Sequence, residues 1–187
     1  MTFFTSDLHL GHSNILQLCH RPFETIQEMD EALICNWNKK VHKCDTVYIV
    51  GDIVWDKKRA KEYLSQLNGK KILIYGNHDE HMIKDSEYQA FFEEICPMKF
   101  AHLNGHPITF CHYPMLEWKS SRKEGSKKLG VLIYGHIHNR IDPMYRFLYE
   151  SENALNAGVD VNGYSPVSFD ELVDNNVAFK KSALDNL

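Results

Sequence analysis

The sequence predicts an α/β fold in a single domain spanning residues 1–187, and three observations support this prediction. Short apolar runs typical of buried strands alternate with helical patterns through the first half of the chain. Such alternation favours right-handed crossovers and a largely parallel sheet. In the second half, two strand-like runs flank Asn104-Gly105, a dipeptide typical of a tight hairpin turn. No internal repeat, linker or low-complexity segment divides the chain.

The first half is expected to contain three buried strands separated by helices. Thr25-Ile26-Gln27-Glu28 forms a capping box, and apolar residues recur at helical spacing after it. Gly69 is the expected stop of the helix that follows the second strand. The expected strands cover residues 2–6, 46–50 and 71–75, and the expected helices cover roughly 13–19, 26–41, 57–67 and 86–94.

The second half is expected to be richer in strands. Residues 117–130 are polar, carry several lysines and have the composition of a loop. Ser168-Phe169-Asp170-Glu171 is a second capping box and predicts a short helix. Residues 175–187 show no clear pattern. The expected strands cover residues 100–103, 107–111, 131–134, 144–149 and 154–157.

Composition excludes several classes of protein. The formal net charge of -4 argues against a protein that holds nucleic acid by bulk electrostatics, so no stable nucleic-acid complex is expected. No apolar stretch approaches the roughly 18 residues that a membrane span requires. The first residues lack the basic segment of a signal peptide, and the five cysteines share no Cys-x-x-Cys spacing. These features predict a cytoplasmic protein with reduced thiols.

Polar side chains that could bind metal follow the strand-like runs. Gly135-His136-Ile137-His138 directly follows the apolar run Val131-Leu132-Ile133-Tyr134. Two histidines at i and i+2 leave the same face of an extended backbone, which suits a transition metal. The carboxyl ends of strands in an open α/β sheet meet at one crevice. The candidate ligands at these ends are Asp7, His9, Asp52, Asn77, His112, His136 and His138.

Seven oxygen and nitrogen ligands exceed what one tetrahedral site uses. They suit two five- or six-coordinate divalent ions that share a bridging carboxylate. Two such ions about 3.5–4 Å apart would activate water and clamp a transferring phosphoryl group. The residues therefore predict a dinuclear metal hydrolase.

These residues also carry a family resemblance. Asp7-x-His9, Gly51-Asp52, Gly76-Asn77-His78-Asp79, His112 and Gly135-His136-x-His138 match, in order, the motifs of the calcineurin-like metallophosphoesterases. Over about residues 2–160 the chain resembles the small bacterial and phage phosphoesterases that lack accessory domains. The resemblance implies an α/β fold built as a four-layer α-β-β-α sandwich of two mixed β-sheets.

The resemblance also implies a role for each residue of the site. His78 would lie over the phosphate, stabilising its charge or protonating the leaving oxygen, and Asp79 would orient His78. Family members use Mn, Fe, Ni or Zn, and the oxygen and nitrogen ligands here suit each of them, with Mn expected first. The first ion would be held by Asp7, His9 and His138, the second by Asn77, His112 and His136, and Asp52 would bridge them.

The expected function is hydrolysis of phosphate mono- or diesters, by attack of a metal-bound hydroxide on a small, nucleotide-sized substrate. Two alternatives remain open, which are a non-catalytic interaction module on the same fold and a metal-dependent nuclease. Substrate contacts are expected from loops after the ligand-bearing strands. These loops contain the candidate substrate-binding residues His12 and Arg21, and also Trp55 and Trp118. The physiological substrate, the metal used in the cell and the oligomeric state are left open.

Overall fold

Two four-stranded sheets form the centre of the molecule. The structure is a computed structural model, and it describes residues 1–122 and 129–187. The first sheet is parallel throughout, in the order β1-β2-β3-β4. The second has the order β5-β6-β7-β8, with an antiparallel β5-β6 pair and parallel neighbours beyond it. The strands are β1 (Thr2–Thr5), β2 (Thr46–Ile49), β3 (Lys70–Ile74), β4 (Glu94–Cys96), β5 (Met98–Leu103), β6 (His106–Cys111), β7 (Val131–Tyr134) and β8 (Ala154–Asn156).

Helices cover the outer face of each sheet. Among the described residues, none of these helices combines the length and the apolar character needed to span a bilayer. The helices are α1 (Ile15–Leu18), α2 (Ile26–Lys40), α3 (Ala60–Gln66), α4 (Glu80–Lys84), α5 (Ser86–Gln89), α6 (Arg146–Glu150) and α7 (Phe169–Asp185).

Alternating side chains of the strands divide the interior into three cores. In β1, Phe3 packs with the helices on the outer face, whereas Phe4 points between the sheets. In β7, Ile133 enters the core between the sheets, and Leu132 packs beneath α6 and α7. This alternation follows from the two-residue repeat of a strand that is buried on both faces. Three cores separate four layers, so the α-β-β-α sandwich is confirmed.

Hydrogen bonds at the helix starts confirm one predicted capping box fully and the other in part. Ser168 and Glu171 form the complete reciprocal box at the start of α7. Thr25 caps α2 by accepting the Glu28 N–H, but the Glu28 carboxylate accepts the N–H of Glu24. Each cap satisfies backbone donors that a helix start otherwise leaves unpaired.

Three elements differ from their predictions. Residues 144–149 form a 3-10 turn (Pro143–Tyr145) and α6, because Pro143 stands at a turn start that the Asp142 carboxylate caps. The end of the predicted helix 86–94 is β4, which extends the first sheet. The predicted short helix after Ser168 continues to Asp185 because its apolar face packs on the second sheet. Residues 123–128 of the predicted loop lie outside the described residues.

Candidate active site

The seven candidate ligands come together where the carboxyl ends of strands from both sheets meet. The first sheet contributes Asp7 and His9 after β1, Asp52 after β2 and Asn77 after β3. The second sheet contributes three histidines, which are His112 after β6 and His136 and His138 after β7.

One cluster consists of Asp7, His9 and His138. The Asp7 Oδ1 atom lies 4.0 Å from His9 Nε2 and 4.0 Å from His138 Nε2. The three ligand atoms all lie within 4.8 Å of one another. This cluster, called the first cluster below, could therefore hold a metal ion.

A second cluster consists of Asn77, His112 and His136. The Asn77 Oδ1 atom lies 3.0 Å from His112 Nε2 and 3.1 Å from His136 Nδ1. Both ring nitrogens thus lie close to the amide oxygen. This second cluster combines an oxygen and two nitrogens without a carboxylate of its own.

Asp52 lies between the two clusters. Its Oδ2 atom is 3.6 Å from His9 Nε2 and 3.4 Å from His112 Nε2. Its Oδ1 atom accepts the backbone N–H of His78 at 2.9 Å, which fixes the rotation of the carboxylate. One oxygen of Asp52 therefore faces ligands of both clusters.

Hydrogen bonds orient several histidine rings with a free nitrogen toward the centre. His112 Nδ1 lies 2.8 Å from the Val50 carbonyl oxygen, and His138 Nδ1 lies 2.8 Å from Asp160 Oδ2. A ring that donates through Nδ1 presents an unprotonated Nε2, which is the ligand form. Neither buried ring nitrogen of His9 has a hydrogen-bond partner among the described residues. Buried polar atoms are normally satisfied, so these nitrogens fit a bound metal ion.

The electrostatics of the site favour a cation. Burial would raise the pKa of Asp52, but the hydrogen bond and charge of His112 outweigh it and hold that pKa at about 2. Burial would lower the pKa of His138, yet the bond to Asp160 and the charge of Asp7 raise it to about 10, so this ring itself carries the positive charge beside the carboxylates until a metal ion displaces its Nε2 proton. Burial lowers the pKa of His9 well below its ordinary value, which keeps that ring neutral. The carboxylates therefore supply negative charge that positive ions can balance.

The backbone at the strand ends adopts an uncommon conformation. Five of the seven candidate ligands have positive φ angles between 52° and 72°, where non-glycine residues are rare and cost of order 1–3 kcal/mol each. Both oxygens of Asp7 accept the His136 N–H, at 3.1 and 3.0 Å, which links the two sheets at this point. A Cβ atom on Gly135 would collide with Ser6 Oγ and lie 2.5 Å from Asp7 Oδ2. Glycine is therefore required where the sheets meet.

The structure corrects the role expected of Asp79. Its carboxylate does not reach the His78 ring, but accepts the backbone N–H groups of Asp52 (2.7 Å), Ile53 (3.2 Å) and Gly76 (2.8 Å). Burial, together with the charge of Asp52, raises the pKa of Asp79 to about 6. Asp79 thus fixes the backbone that carries Asp52 and does not orient His78.

The structure also corrects the expected substrate contact of Arg21. Its side chain is fully buried and pairs with Asp160, with Nε 2.8 Å from Oδ1. Its other donors bind the carbonyl oxygens of Leu8 (2.9 Å) and Asp7 (2.7 Å). Arg21 therefore supports the backbone of the first cluster from behind. Asp160, which also orients His138, was not predicted, and its sole sequence signal is an acidic side chain shortly after β8.

Aromatic rings line one side of the centre. The rings of His12 and Trp55 stack in parallel, with centroids 3.7 Å apart. Trp55 is 41% exposed, and its ring lies 4.6 Å from that of His78. The His78 side chain is 38% exposed, and its Nε2 lies 4.0 Å from Asp52 Oδ2. Trp118, in contrast, is buried and donates to the Gly130 carbonyl oxygen at 2.7 Å, so its expected place beside the substrate is wrong.

A groove of about 530 Å³ leads away from the candidate metal centre. One wall comes from α1 and the residues after it, and the other comes from the segment after His138. The side-chain amide of Asn139 donates to the Cys19 carbonyl oxygen at 2.9 Å and joins the two walls. The sequence prediction included the first wall but not the second, which is formed by Asn139, Arg140 and Ile141.

Comparisons with known proteins agree with this geometry. An uncharacterised protein of Methanocaldococcus jannaschii is 34% identical over 175 residues, covering 91% of this chain and 88% of that protein. The gene 66 protein of Mycobacterium phage L5 is 29% identical over 201 residues and covers 92% of each chain. A crystal structure of an Aquifex aeolicus protein of unknown function is similar with a TM-score of 0.70 and 28% identity, covering 93% of this chain and 98% of that one.

The family model for the calcineurin-like phosphoesterase superfamily domain matches residues 2–158. That range contains all seven candidate ligands and His78. The chain therefore belongs to the calcineurin-like phosphoesterase superfamily.

Proposed function

We propose that this protein is a hydrolase of phosphate esters that works with two divalent metal ions. The observation that carries the proposal is the position of Asp52, whose Oδ2 atom lies 3.6 Å from a histidine of the first cluster and 3.4 Å from one of the second. A carboxylate shared by two ligand clusters is the arrangement that a pair of ions requires. Membership of a phosphoesterase superfamily supports the same reaction class.

In this proposal the first cluster and the second cluster would each hold one ion, and Asp52 would be the carboxylate that both ions share. When bound, two divalent ions supply activation of water and neutralisation of the charge on the transferring phosphoryl group. The oxygen and nitrogen ligands suit Mn, Fe, Ni or Zn, and we propose Mn as the first candidate.

His78 is proposed to act on the leaving group. Its half-exposed ring faces the groove, and its backbone N–H is held by Asp52. The ring does not belong to either cluster, so its nitrogen remains available to donate a proton to the departing oxygen. His12 lines the groove and stacks on Trp55, where it can contact the phosphate or its first substituent.

The groove supports a small-molecule substrate. Its volume of about 530 Å³ lies within the range of roughly 300–1,000 Å³ that small-molecule sites occupy. The exposed face of Trp55 offers a stacking surface for a nucleobase or another ring. We therefore propose a nucleotide-sized phosphate mono- or diester, without choosing between the two.

Two other functions are less well supported. A non-catalytic interaction module would not need a complete ligand set, and this chain has one. A nuclease would hold a polyanion, but the net charge of -4 gives no general attraction for nucleic acid.

The test combines metal analysis with a substrate panel. Purified protein loaded with Mn²⁺ is analysed for bound metal by mass spectrometry. It is then assayed for hydrolysis of phosphate monoesters, diesters, cyclic nucleotides and short oligonucleotides, with and without chelator. We expect two ions per chain and chelator-sensitive hydrolysis of at least one small ester. Full loading without hydrolysis of any ester would refute the enzyme and favour the interaction module, and turnover of oligonucleotides alone would favour the nuclease.

A further inference from the structure

Arg140 has no carboxylate partner among the described residues, unlike the other arginines of the chain. The sequence contains five arginines, and four of them pair with carboxylates. Among the described residues, no carboxylate oxygen lies within 4.0 Å of the Arg140 guanidinium. The four pairs are Arg21–Asp160, Arg59–Glu62, Arg122–Glu117 and Arg146–Glu150.

Arg140 lies at the groove, two residues after the candidate ligand His138. Its backbone is held on both sides, because its N–H donates to the Ile137 carbonyl oxygen at 3.0 Å and its own carbonyl oxygen accepts the Tyr149 O–H at 2.8 Å. The guanidinium carbon lies 6.0 Å from the centre of the Tyr145 ring. An exposed cation is thus carried on a fixed backbone and rests against an aromatic ring.

The groove that contains both the candidate ligands and Arg140 has apolar side chains in each wall. Ile15 and Leu18 line one side, and Ile137 and Ile141 line the other. Leu18 and Ile141 are exposed apolar side chains at this position. A substrate with its phosphoryl group at the metal centre would therefore place a ring or a carbon skeleton between these walls. Arg140 would then contact a substituent at the end of that skeleton away from the phosphoryl group.

We infer that Arg140 is a specificity-determining residue that recognises a second anionic group on the alcohol part of the phosphate ester, an inference that rests on the proposed function. The planar guanidinium donates two parallel hydrogen bonds to a phosphate or a carboxylate. A protein with a net charge of -4 repels anions in general, so an arginine that has no carboxylate partner among the described residues provides the local attraction that a doubly anionic substrate needs. The preferred substrate is thus an ester with a second phosphate or carboxylate.

The test uses two coumarin phosphates that share their ring and ester oxygen. One carries a methyl group at ring position 4, and the other carries a carboxymethyl group there. We expect kcat/KM in the unchanged protein to be about 10–100-fold higher for the carboxymethyl ester, as a charged hydrogen bond predicts. Arg140→Gln should remove this preference, and Arg140→Lys should keep part of it. A third ester with a phosphonomethyl group distinguishes phosphate from carboxylate recognition.

Two controls separate recognition from damage to the protein. Arg146→Gln removes an exposed arginine that pairs with Glu150 outside the groove, and it should keep the full preference. The fluorescent product with the carboxymethyl group carries no phosphoryl group, so its binding can be titrated directly. Arg140→Gln should weaken that binding by a similar factor and leave the metal content unchanged.

The outcomes distinguish the two proposals. Hydrolysis of all the esters at equal kcat/KM would overturn the role of Arg140 and leave the proposed function standing. Retention of the preference for the carboxymethyl ester in Arg140→Gln would likewise overturn the role of Arg140 and leave the proposed function standing. Absence of binding of the anionic product by the metal-loaded protein would overturn the role of Arg140, whereas the proposed function fails only if no ester of the wider substrate panel is hydrolysed.

Discussion

The two ligand clusters beside Asp52 differ in burial and charge. In the first cluster, Asp7 and His9 are buried, and Asp160 and Arg21 support it from behind. In the second, Asn77 is exposed and His136 is half-buried. The first has its own carboxylate, whereas the second relies on an amide and on the shared Asp52.

This difference predicts unequal roles for the two proposed ions. A buried carboxylate strengthens the attraction for a cation, because nearby water no longer screens it. The first ion should therefore be held more tightly and act mainly as a fixed centre. The second ion, next to the exposed Asn77, should exchange more readily with metal ions in solution. It should also be the ion that is more accessible to the substrate. The four experiments below test this asymmetry, beginning with the largest expected effect.

Asp52→Asn should increase the asymmetry, because it removes the only carboxylate that the second cluster shares and leaves Asp7 in the first cluster. We expect fewer than two ions per chain and a loss in kcat of at least about 10³-fold, since metal stabilisation of the transition state contributes several kcal/mol. Metal analysis and initial rates measure both effects. Asp174→Asn makes the same chemical change on an exposed face of α7 and should leave both quantities unaltered. Two ions and normal rates in Asp52→Asn would refute the dinuclear assignment.

His78→Gln should lower the rate without changing either cluster. We expect a loss of about 10²-fold or more for alkyl phosphates, whose basic leaving oxygen needs a proton. The loss should be much smaller for nitrophenyl phosphate, whose leaving group departs unprotonated. Kinetics on both substrates, combined with metal analysis, check this. An equal loss on both would instead indicate that His78 stabilises charge on the phosphoryl oxygens.

Asp160→Asn should weaken the first cluster alone. Loss of a carboxylate behind a ligating histidine typically lowers metal affinity by about 10–100-fold. The same change leaves Arg21 buried without its partner, and breaking such a pair costs about 3–5 kcal/mol of stability. Denaturant unfolding and metal titration separate the two effects. Glu150→Gln breaks the exposed pair with Arg146 and should cost at most about 1 kcal/mol. Unchanged affinity in folded Asp160→Asn would show that Asp160 has only a structural role.

Stepwise chelation should reveal the asymmetry in the unchanged protein. We expect the ion of the second cluster to leave first, with dissociation constants that differ by about tenfold, equivalent to about 1.4 kcal/mol. Chelator titration followed by metal analysis measures this. Asn77→Ala should remove the weaker step, and simultaneous release of both ions would contradict the comparison.

The convergence of the candidate metal ligands could be predicted from the sequence, whereas the residues around them could not. Asp7, His9 and Asp52 stand directly after apolar runs, so their position follows from local patterns that mark strand ends. The burial of the Arg21 side chain depends on its pair with Asp160, which lies 139 residues away in the sequence. No local pattern connects the two residues. Trp118 and Asp79 likewise bond to backbone groups that only the folded chain brings near. The sequence does not indicate Arg140, because its lack of a carboxylate partner among residues 1–122 and 129–187 is visible only in the fold.

The fold prediction was likewise limited to features that local sequence patterns determine. The strands β1, β2 and β3 and the hairpin of β5 and β6 follow from runs whose period and turn residues agree. Residues 144–149 are mostly aromatic and apolar, a composition that suits a strand, yet the turn that begins at Pro143 leads into a helix. The four layers came from the family resemblance, since periodicity alone does not specify how two sheets pack.

The origin of the ligands from both sheets has a consequence for folding. Any ion at this position would act as a cross-link between two halves of the interior, because neither sheet alone supplies a complete cluster around Asp52. Binding and unfolding would then be linked equilibria, in which free metal at 1,000 times its dissociation constant adds about 4.1 kcal/mol to the free energy of unfolding. The midpoint of thermal denaturation would rise with the logarithm of metal concentration. The free energy of unfolding would thus depend on the concentration of free metal in solution, whether or not a substrate is present.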